Sequence, residues 1–481
     1  MKMLLNGQFV DAVDKQVIEV YNPSTHKKID EVPRAGIQDI QKAVEYALNG
    51  FRINRKIPAH KRTDYLKQTA CLIKKNLAEL RDLMISENGK SFKWANFEIN
   101  KTAEIFETVA ERIKDPQGKT YPMDAMSGCE TQMAMMYRQP IGVVGGIIPF
   151  NFPAEMLAYK AAAALVAGNA IVLKLSEDCP LTCLRIGELM LEAGVPPEAF
   201  HMLPGYGHEA GEALVAHPKV PVITFTGSSA VGKRIMATAA PYLKKLSLEL
   251  GGNDPVIIFE DADIKQAAFN LIRGRMTVGN GQACVADKRF LIQESVKDKF
   301  IELGTKYINE LKMGNPIDET VDVGPVIHEE AAKRIEEQIN DAVSKGAKVN
   351  CGGKRVNKTF IEPTLLSDVP IDAKVFAEEC FGPVAPVATF KTEEEAIQIA
   401  NDSPYGLQGA VYSRDISRAM RVADELDVGG VVVNDSSCFR PGNVPYMPRK
   451  ESGLGTDNMF DCLEEMTTGK AIVISGVKKA K

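Results

Sequence analysis

Between Ile141 and Phe259 short apolar runs alternate with segments of helical spacing, and this alternation limits the possible folds more than any other feature of the chain. The runs IGVVGGIIPF, NAIVLK, FHMLPG, PVITFTG, KLSLELGG and PVIIFE are separated by segments such as EMLAYKAAAALVAG and LTCLRIGELMLEAG. Near-continuous apolar strands, joined through helices and closed by short glycine or polar turns, predict βαβ units and a parallel sheet covered on both faces. The expected fold class is therefore α/β, with a doubly wound nucleotide-binding sheet. A second α/β stretch from about Asp261 to Lys450, with helices such as EEAAKRIEEQINDAVSKG and strands such as GGVVVND, predicts a second domain. Ahead of both, Ile37 to about Lys114 reads as successive amphipathic helices, and the turns LNGQF and YNPSTH around QVIEVYN predict a leading strand pair. TQMAMMYRQP reads as a strand, and AIVISGVKKAK as an apolar strand with a basic tail.

Composition serves mainly to exclude. At 481 residues the chain is roughly three times a typical domain. Its 58 basic and 63 acidic residues leave a net charge of −5, with no positive excess to neutralise phosphates, so nucleic acid is not an expected partner. No stretch approaches the ~20 apolar residues that a bilayer span needs, so no membrane partner is expected and a cytoplasmic location is. Nine cysteines without a Cys-x-x-Cys pair, and six histidines none of which stands at ligand spacing, predict free thiols in a reducing compartment and no metal.

Three segments carry residues suited to chemistry. In ITFTGSSAVGKRI, Gly227, Ser228 and Gly232 fall where a strand ends and a helix begins, so free N–H groups can face a pyrophosphate. The spacing is not GxGxxG, and such a turn is also compatible with a purely structural role. In VGNGQACVADKR, Gly279 and Gly281 leave room for a ligand beside Cys284, the best nucleophile candidate among the nine; the alternative is a buried cysteine in a glycine-rich turn. KLSLELGGNDPVIIF ends a strand with Glu249 ahead of Gly251 and Gly252. A carboxylate in apolar surroundings has its pKa raised toward that of a general base, although a lone Glu can equally be solvated or capping.

With IIPFNFP, VLKLSE, FTGSSAVG, LELGGNDP, GQAC and EECFGPV in this order, the chain resembles the aldehyde dehydrogenase superfamily over essentially its whole length, and within it the lactaldehyde and semialdehyde group. The resemblance implies an NAD-binding domain from 1–120 and 141–250, a catalytic domain from 251–450, and a β oligomerisation arm from 121–140 and 451–481, hence a homodimer or homotetramer. It implies that Cys284 attacks the aldehyde carbon to give a thiohemiacetal. Asn151 and the backbone N–H at the cysteine would form the oxyanion hole, and Glu249 would activate water for deacylation. Lys174 matches the lysine that bonds the adenine ribose, Ser228 a pyrophosphate ligand, and Glu379 and Phe381 the residues at the nicotinamide ribose and ring. Gly207 and Gly211 match the adenine side, and Ile147, Ile148 and Pro149 the wall beside the nicotinamide. Phe150, Phe225, Gly227, Gly232 and Leu250 complete the expected cofactor contacts. Glu177 is expected to accept hydrogen bonds from the ribose hydroxyls and to repel a 2′-phosphate, so that NAD is preferred and NADP is the lesser cofactor.

On the substrate side the resemblance places Phe150, Tyr159, Val278 and Phe439 on the tunnel wall. Arg440, in SSCFRPG, is expected at the tunnel mouth holding a distal anion, with Arg275 and Arg449 as alternatives. Where the family usually reads PFGGxKxSGxGxE this chain reads PYMPRKESGLGTD, with Met447, Pro448 and Arg449 in place of small residues and Asp457 in place of the final Glu. Pro448 fixes its own φ and removes an N–H, which alters the path of this loop. The expected function is NAD-dependent oxidation of a small, anionic or hydroxylated aldehyde to its carboxylate. The alternatives are a CoA-acylating semialdehyde dehydrogenase, which Glu249 disfavours, and a catalytically silent relative, which Cys284, Asn151 and Glu249 together disfavour.

Overall fold

The computed structural model describes residues 1–115, 118–456 and 458–477. Asp457 and the end of the basic tail, 478–481, lie outside the described residues. The first of its sheets has eight strands, in the order Gln8–Val10, Met3–Leu5, Phe200–Pro204, Ala170–Leu175, Val143–Ile147, Val222–Thr226, Lys245–Glu249 and Gly453–Leu454. The five between Met3–Leu5 and Gly453–Leu454 are parallel, and the outer pairings are antiparallel. Successive residues of a strand point to opposite faces. Val144 accordingly joins a core with the helices Pro153–Ala167 and Leu181–Glu192, while Val143 joins one with Ile37–Asn54. Both faces are covered, which is why these strands read as unbroken apolar runs rather than as alternation.

The chain leaves Val143–Ile147 in one direction across the sheet and returns to place Val222–Thr226 on its other side. At such a reversal the crossovers diverge and a crevice opens at the carboxyl ends of the strands. Ile147 and Phe225 stand opposite one another there. The segment Leu250–Asp254 then leads into a second sheet, ordered Lys348–Cys351, Thr364–Ser367, Val384–Phe390, Arg289–Gln293, Pro255–Ile258, Gln408–Tyr412 and Gly430–Val433, parallel except at its first pair.

A third, antiparallel sheet joins Thr467–Ile474, Met133–Pro140 and Gly118–Tyr121. Gly453–Leu454, within the stretch assigned above to the arm, pairs instead with Leu248 and Glu249 of the first sheet. At the N-terminus there are two hairpins rather than one strand pair. Met3–Leu5 is wholly buried and adds to the first sheet, and Val17–Tyr21 pairs separately with Lys28–Pro33. Among the described residues no helix is long and apolar enough to cross a membrane.

Candidate active site

A cleft of about 780 Å³ runs from the carboxyl ends of the first sheet to the loop that carries Cys284. Ile147, Ile148, Pro149, Phe150 and Asn151 leave the central strand along one wall, and Phe225, Gly227 and Ser228 leave its neighbour. Lys174, Glu177, Gly207 and Gly211 lie toward one end; Leu250, Glu379, Phe381 and Cys284 also face the cleft. Of the expected cofactor contacts, Gly232 alone is not on this wall. A Cβ there would come within 2.6 Å of the Leu250 side chain, so the glycine serves to let its helix lie close to that segment.

Several features of the cleft suit a dinucleotide. The helix Ser229–Ala239 begins at its wall, with Ser228 accepting a hydrogen bond from the Val231 N–H at 3.4 Å. The first-turn N–H groups that any helix leaves without an internal partner favour a phosphate at that point. Lys174 Nζ sits 2.8 Å from Glu177 Oε2, so the lysine and the carboxylate form an ion pair on the cleft wall. Glu379 Oε1 accepts from the Gly252 N–H at 3.2 Å and from Lys288 Nζ at 2.7 Å. Its other oxygen lies 2.6 Å from where a Cβ on Gly251 would stand, so a side chain there would displace the carboxylate.

Cys284 follows an unusual run of backbone. Gly279, Asn280 and Gly281 all adopt left-handed φ, at 54°, 58° and 77°. Glycine and asparagine are the residues that tolerate this region. A Cβ on Gly281 would fall 2.3 Å from the Gly382 carbonyl carbon, so the loop also needs glycine for space. Asn280 holds the run in place. Its Nδ2 donates to the carbonyls of Gly89 at 2.8 Å and Pro325 at 2.9 Å, and its Oδ1 accepts from the Gly324 N–H at 2.8 Å.

Burial pushes the Cys284 thiol up, while Lys288, a hydrogen bond with Tyr446 and the charge of Arg440 pull it down; Asp254 adds a smaller upward push. The Tyr446 hydroxyl stands 3.6 Å from Sγ. Lys288 Nζ, wholly buried, donates to the Cys284 carbonyl at 2.7 Å and to the Gly252 carbonyl at 2.6 Å as well as to Glu379, and thereby ties the Cys284 loop to the cleft carboxylate. Asn151 faces the same space, its Nδ2 donating to the Gln282 carbonyl at 3.0 Å. Behind it Lys90 and Glu98 form a buried ion pair. Lys90 Nζ donates to the Asn151 carbonyl at 2.7 Å, and Glu98 Oε1 accepts from the N–H groups of Ala154 and Glu155 at 3.0 and 3.3 Å, capping the helix that follows. Glu249 ends its strand nearly buried, outside the cleft wall, and its charge reaches both Arg440 and Tyr446.

Arg440, expected at the tunnel mouth, is packed against two tyrosine rings. Its guanidinium sits 3.6 Å above the Tyr446 ring and 5.7 Å from that of Tyr159. Burial works against its charge, yet Tyr159, Tyr446, Glu155 and Glu249 outweigh this and hold it above the ordinary guanidinium value. Its segment is anchored beside the Cys284 loop through buried Asp287, which accepts from Ser436 Oγ at 2.6 Å and from the Ser437 N–H at 2.8 Å.

Phe439, expected on the tunnel wall, is 58% exposed. Two expectations need correction here. Arg275 is buried, its guanidinium spent on the carbonyls of Val384, Gly281 and Cys380, and cannot hold a substrate anion. Arg449 is exposed and sits 3.6 Å from Asp427, next to Lys450 in a short pairing with Tyr405–Gly406. Lys90, Glu98, Lys288 and Tyr446 are functional neighbours that sequence reasoning did not single out.

Comparison with known proteins agrees with this geometry. The model of the aldehyde dehydrogenase family matches residues 9–472. The chain is 40% identical to the mitochondrial succinate-semialdehyde dehydrogenase of Oryza sativa subsp. japonica, over 98% of this chain and 89% of the rice protein. It is 37% identical to the NADP(+)-dependent succinate-semialdehyde dehydrogenase GabD of Escherichia coli K12, over 94% of this chain and 93% of that protein. Among solved structures, lactaldehyde dehydrogenase from Escherichia coli superposes with a TM-score of 0.94 at 32% identity, with 98% of each chain covered.

Proposed function

The chain belongs to the aldehyde dehydrogenase family, and from that premise we propose that it oxidises a small anionic aldehyde to its carboxylate with NAD, through the thiol of Cys284. The observation that carries the reading is the position of Cys284, at the end of a cleft suited to a dinucleotide and beside an arginine laid against Tyr446. As a thiolate, Cys284 attacks the aldehyde carbon, and the oxygen that gains the negative charge takes hydrogen bonds from Asn151 Nδ2 and the Cys284 N–H. A bound NAD supplies the acceptor for the hydride, which leaves Cys284 as a thioester. Lys174, Glu177, Ser228 and Glu379 would hold that cofactor. Glu249 then takes a proton from water, which adds to the thioester carbon, and the carboxylate departs with the thiol restored. Arg440 pairs with the distal anion of the substrate.

Glu177 supports NAD over NADP, because a partly desolvated carboxylate beside a 2′-phosphate is unfavourable. The edge strand Thr467–Ile474 exposes Ile472, Val473 and Ile474, which supports a dimer or dimer of dimers formed through this arm. The segments 1–120 and 141–250 would carry the cofactor and 251–450 the nucleophile. The free cysteines favour a reducing compartment such as the cytoplasm.

NADH formation with butanal, lactaldehyde and succinic semialdehyde, with and without CoA, tests the reading. Turnover without CoA and a preference for the anion over butanal that falls in Arg440→Ala are expected. A requirement for CoA, or equal use of butanal, would remove it.

A further inference from the structure

Glu155 is a charged side chain that the reaction above does not use. It lies in the first turn of the helix Pro153–Ala167 and is partly exposed, and among the described residues its carboxylate makes no hydrogen bond or ion pair. A helix-capping role is already filled, since Glu98 takes the first N–H groups of this helix. The carboxylate is also held at a cost: burial and then the charge of Glu98 push Glu155 up to about 7, against Arg440, Lys101 and Lys90.

Its surroundings connect it to Arg440 and, through Tyr446, to Cys284. Residues three or four apart share a helix face. Tyr159, one turn on from Glu155, has the Arg440 guanidinium 5.7 Å from its ring. Phe152, three residues back, packs against Val278 and Ala283 of the loop that carries Cys284. The Arg440 guanidinium also lies 3.6 Å above the Tyr446 ring, whose hydroxyl is 3.6 Å from Cys284 Sγ, so two tyrosines link this helix face and the arginine to the thiol. Tyr159 and Tyr446 are 2% and 5% exposed, whereas Glu155 and Arg440 are partly exposed. The two charges feel one another without Glu155 forming an ion pair. A guanidinium and a carboxylate held apart beside the same tyrosine, Tyr159, complement a molecule carrying the opposite charges in the same order.

We propose that Arg440 and Glu155 together recognise a zwitterionic aldehyde, with a carboxylate for Arg440 and an ammonium group on the neighbouring carbon for Glu155: the semialdehyde of an α-amino acid. This rests on the reading of Arg440 as the anion anchor. The chemistry is unchanged, with aldehyde, NAD and water giving carboxylate, NADH and two protons.

A matched series separates the two claims: butanal, 4-oxobutanoate, 2-hydroxy-4-oxobutanoate and 2-amino-4-oxobutanoate, with kcat/KM measured in wild type, Glu155→Gln and Glu155→Asp. In wild type the amino compound should exceed 4-oxobutanoate by about tenfold. That ratio should fall to about one or below in Glu155→Gln and be partly kept in Glu155→Asp. Because the readout is a ratio within one protein, a loss of folded enzyme cannot imitate it. A wild-type ratio at or below one, a ratio that survives Glu155→Gln, or a preference for the hydroxyl over the ammonium compound would each overturn the proposal. Failure of the anion anchor shows elsewhere, as 4-oxobutanoate performing no better than butanal.

Discussion

Where the cleft follows the cofactor path, lysines and carboxylates answer one another inside the protein: Lys174 with Glu177 at 2.8 Å, Lys288 with Glu379 at 2.7 Å, and Lys90 with Glu98 behind Asn151. Beyond Cys284, Arg440 rests on the faces of tyrosine rings, and Glu155 has no ion-pair partner among the described residues. A buried charge costs several kcal/mol to desolvate unless it is paired and hydrogen-bonded. One side is therefore held by paired charge before any ligand arrives, while on the other the Glu155 carboxylate is left for a ligand to answer. Cofactor binding and substrate choice should accordingly be separable by mutation, with Cys284 at the boundary.

The sharpest break of this comparison is at the boundary itself. Cys284→Ala should lower turnover by at least about a thousandfold while leaving the dissociation constant for NAD, read by calorimetry, within about threefold of wild type. A larger change in NAD affinity would mean that the two sides are not independent. Glu249→Gln should lower the steady-state rate by about a hundredfold yet keep a stopped-flow burst of NADH, since water is needed only after the hydride has left. Loss of the burst would move Glu249 into thiol activation.

Lys288→Met tests whether the cofactor side is held by paired charge. It removes the cation that faces Glu379 and two backbone carbonyls, so NAD affinity should fall by about tenfold and stability by about 3 kcal/mol. Burial already raises the Cys284 pKa and the Lys288 ammonium favours the thiolate, so the variant's pKa rises further. The pH profile of iodoacetamide alkylation should then move upward, giving slower reaction at any fixed pH below the plateau. Lys288→Arg should restore part of each effect. An unmoved alkylation profile would reduce Lys288 to packing. The smallest effect is expected at the rim, where Glu177→Ser should raise kcat/KM for NADP by about fivefold in steady-state kinetics; no gain would show that this carboxylate does not select the cofactor.

The two sides also differed in how far the sequence revealed them. Apolar runs between short turns identify a parallel sheet because both faces are covered, and glycines at strand ends locate the cleft because only they admit a backbone so close. Lys90 and Lys288 escaped notice because a lysine in isolation reads as solvated surface. Glu98 did leave a trace: on the helix Phe92–Arg112 it lines up with the buried Ala95, Thr102 and Phe106, a charge set into an apolar stripe. Arg440 was legible as a candidate but not its place on the Tyr446 ring. The turn from Pro441 to Val444 and the burial of Tyr446 go with that placement, and neither has a periodic signature.

Asn280 is followed by glycine, the neighbour that least hinders attack of the backbone nitrogen on an asparagine side chain, with closure of a succinimide ring and release of ammonia. In the folded protein that amide is wholly buried and its nitrogen and oxygen are engaged by Gly89, Pro325 and Gly324. The ring cannot close without breaking those bonds and rotating out of the left-handed turn. An unfolded chain has no such protection, and once Asn280 has become aspartate or isoaspartate the nitrogen that anchored the turn before Cys284 is gone. Chemical ageing of this enzyme should therefore be gated by unfolding, and a chain damaged there while open would refold without a properly seated nucleophile.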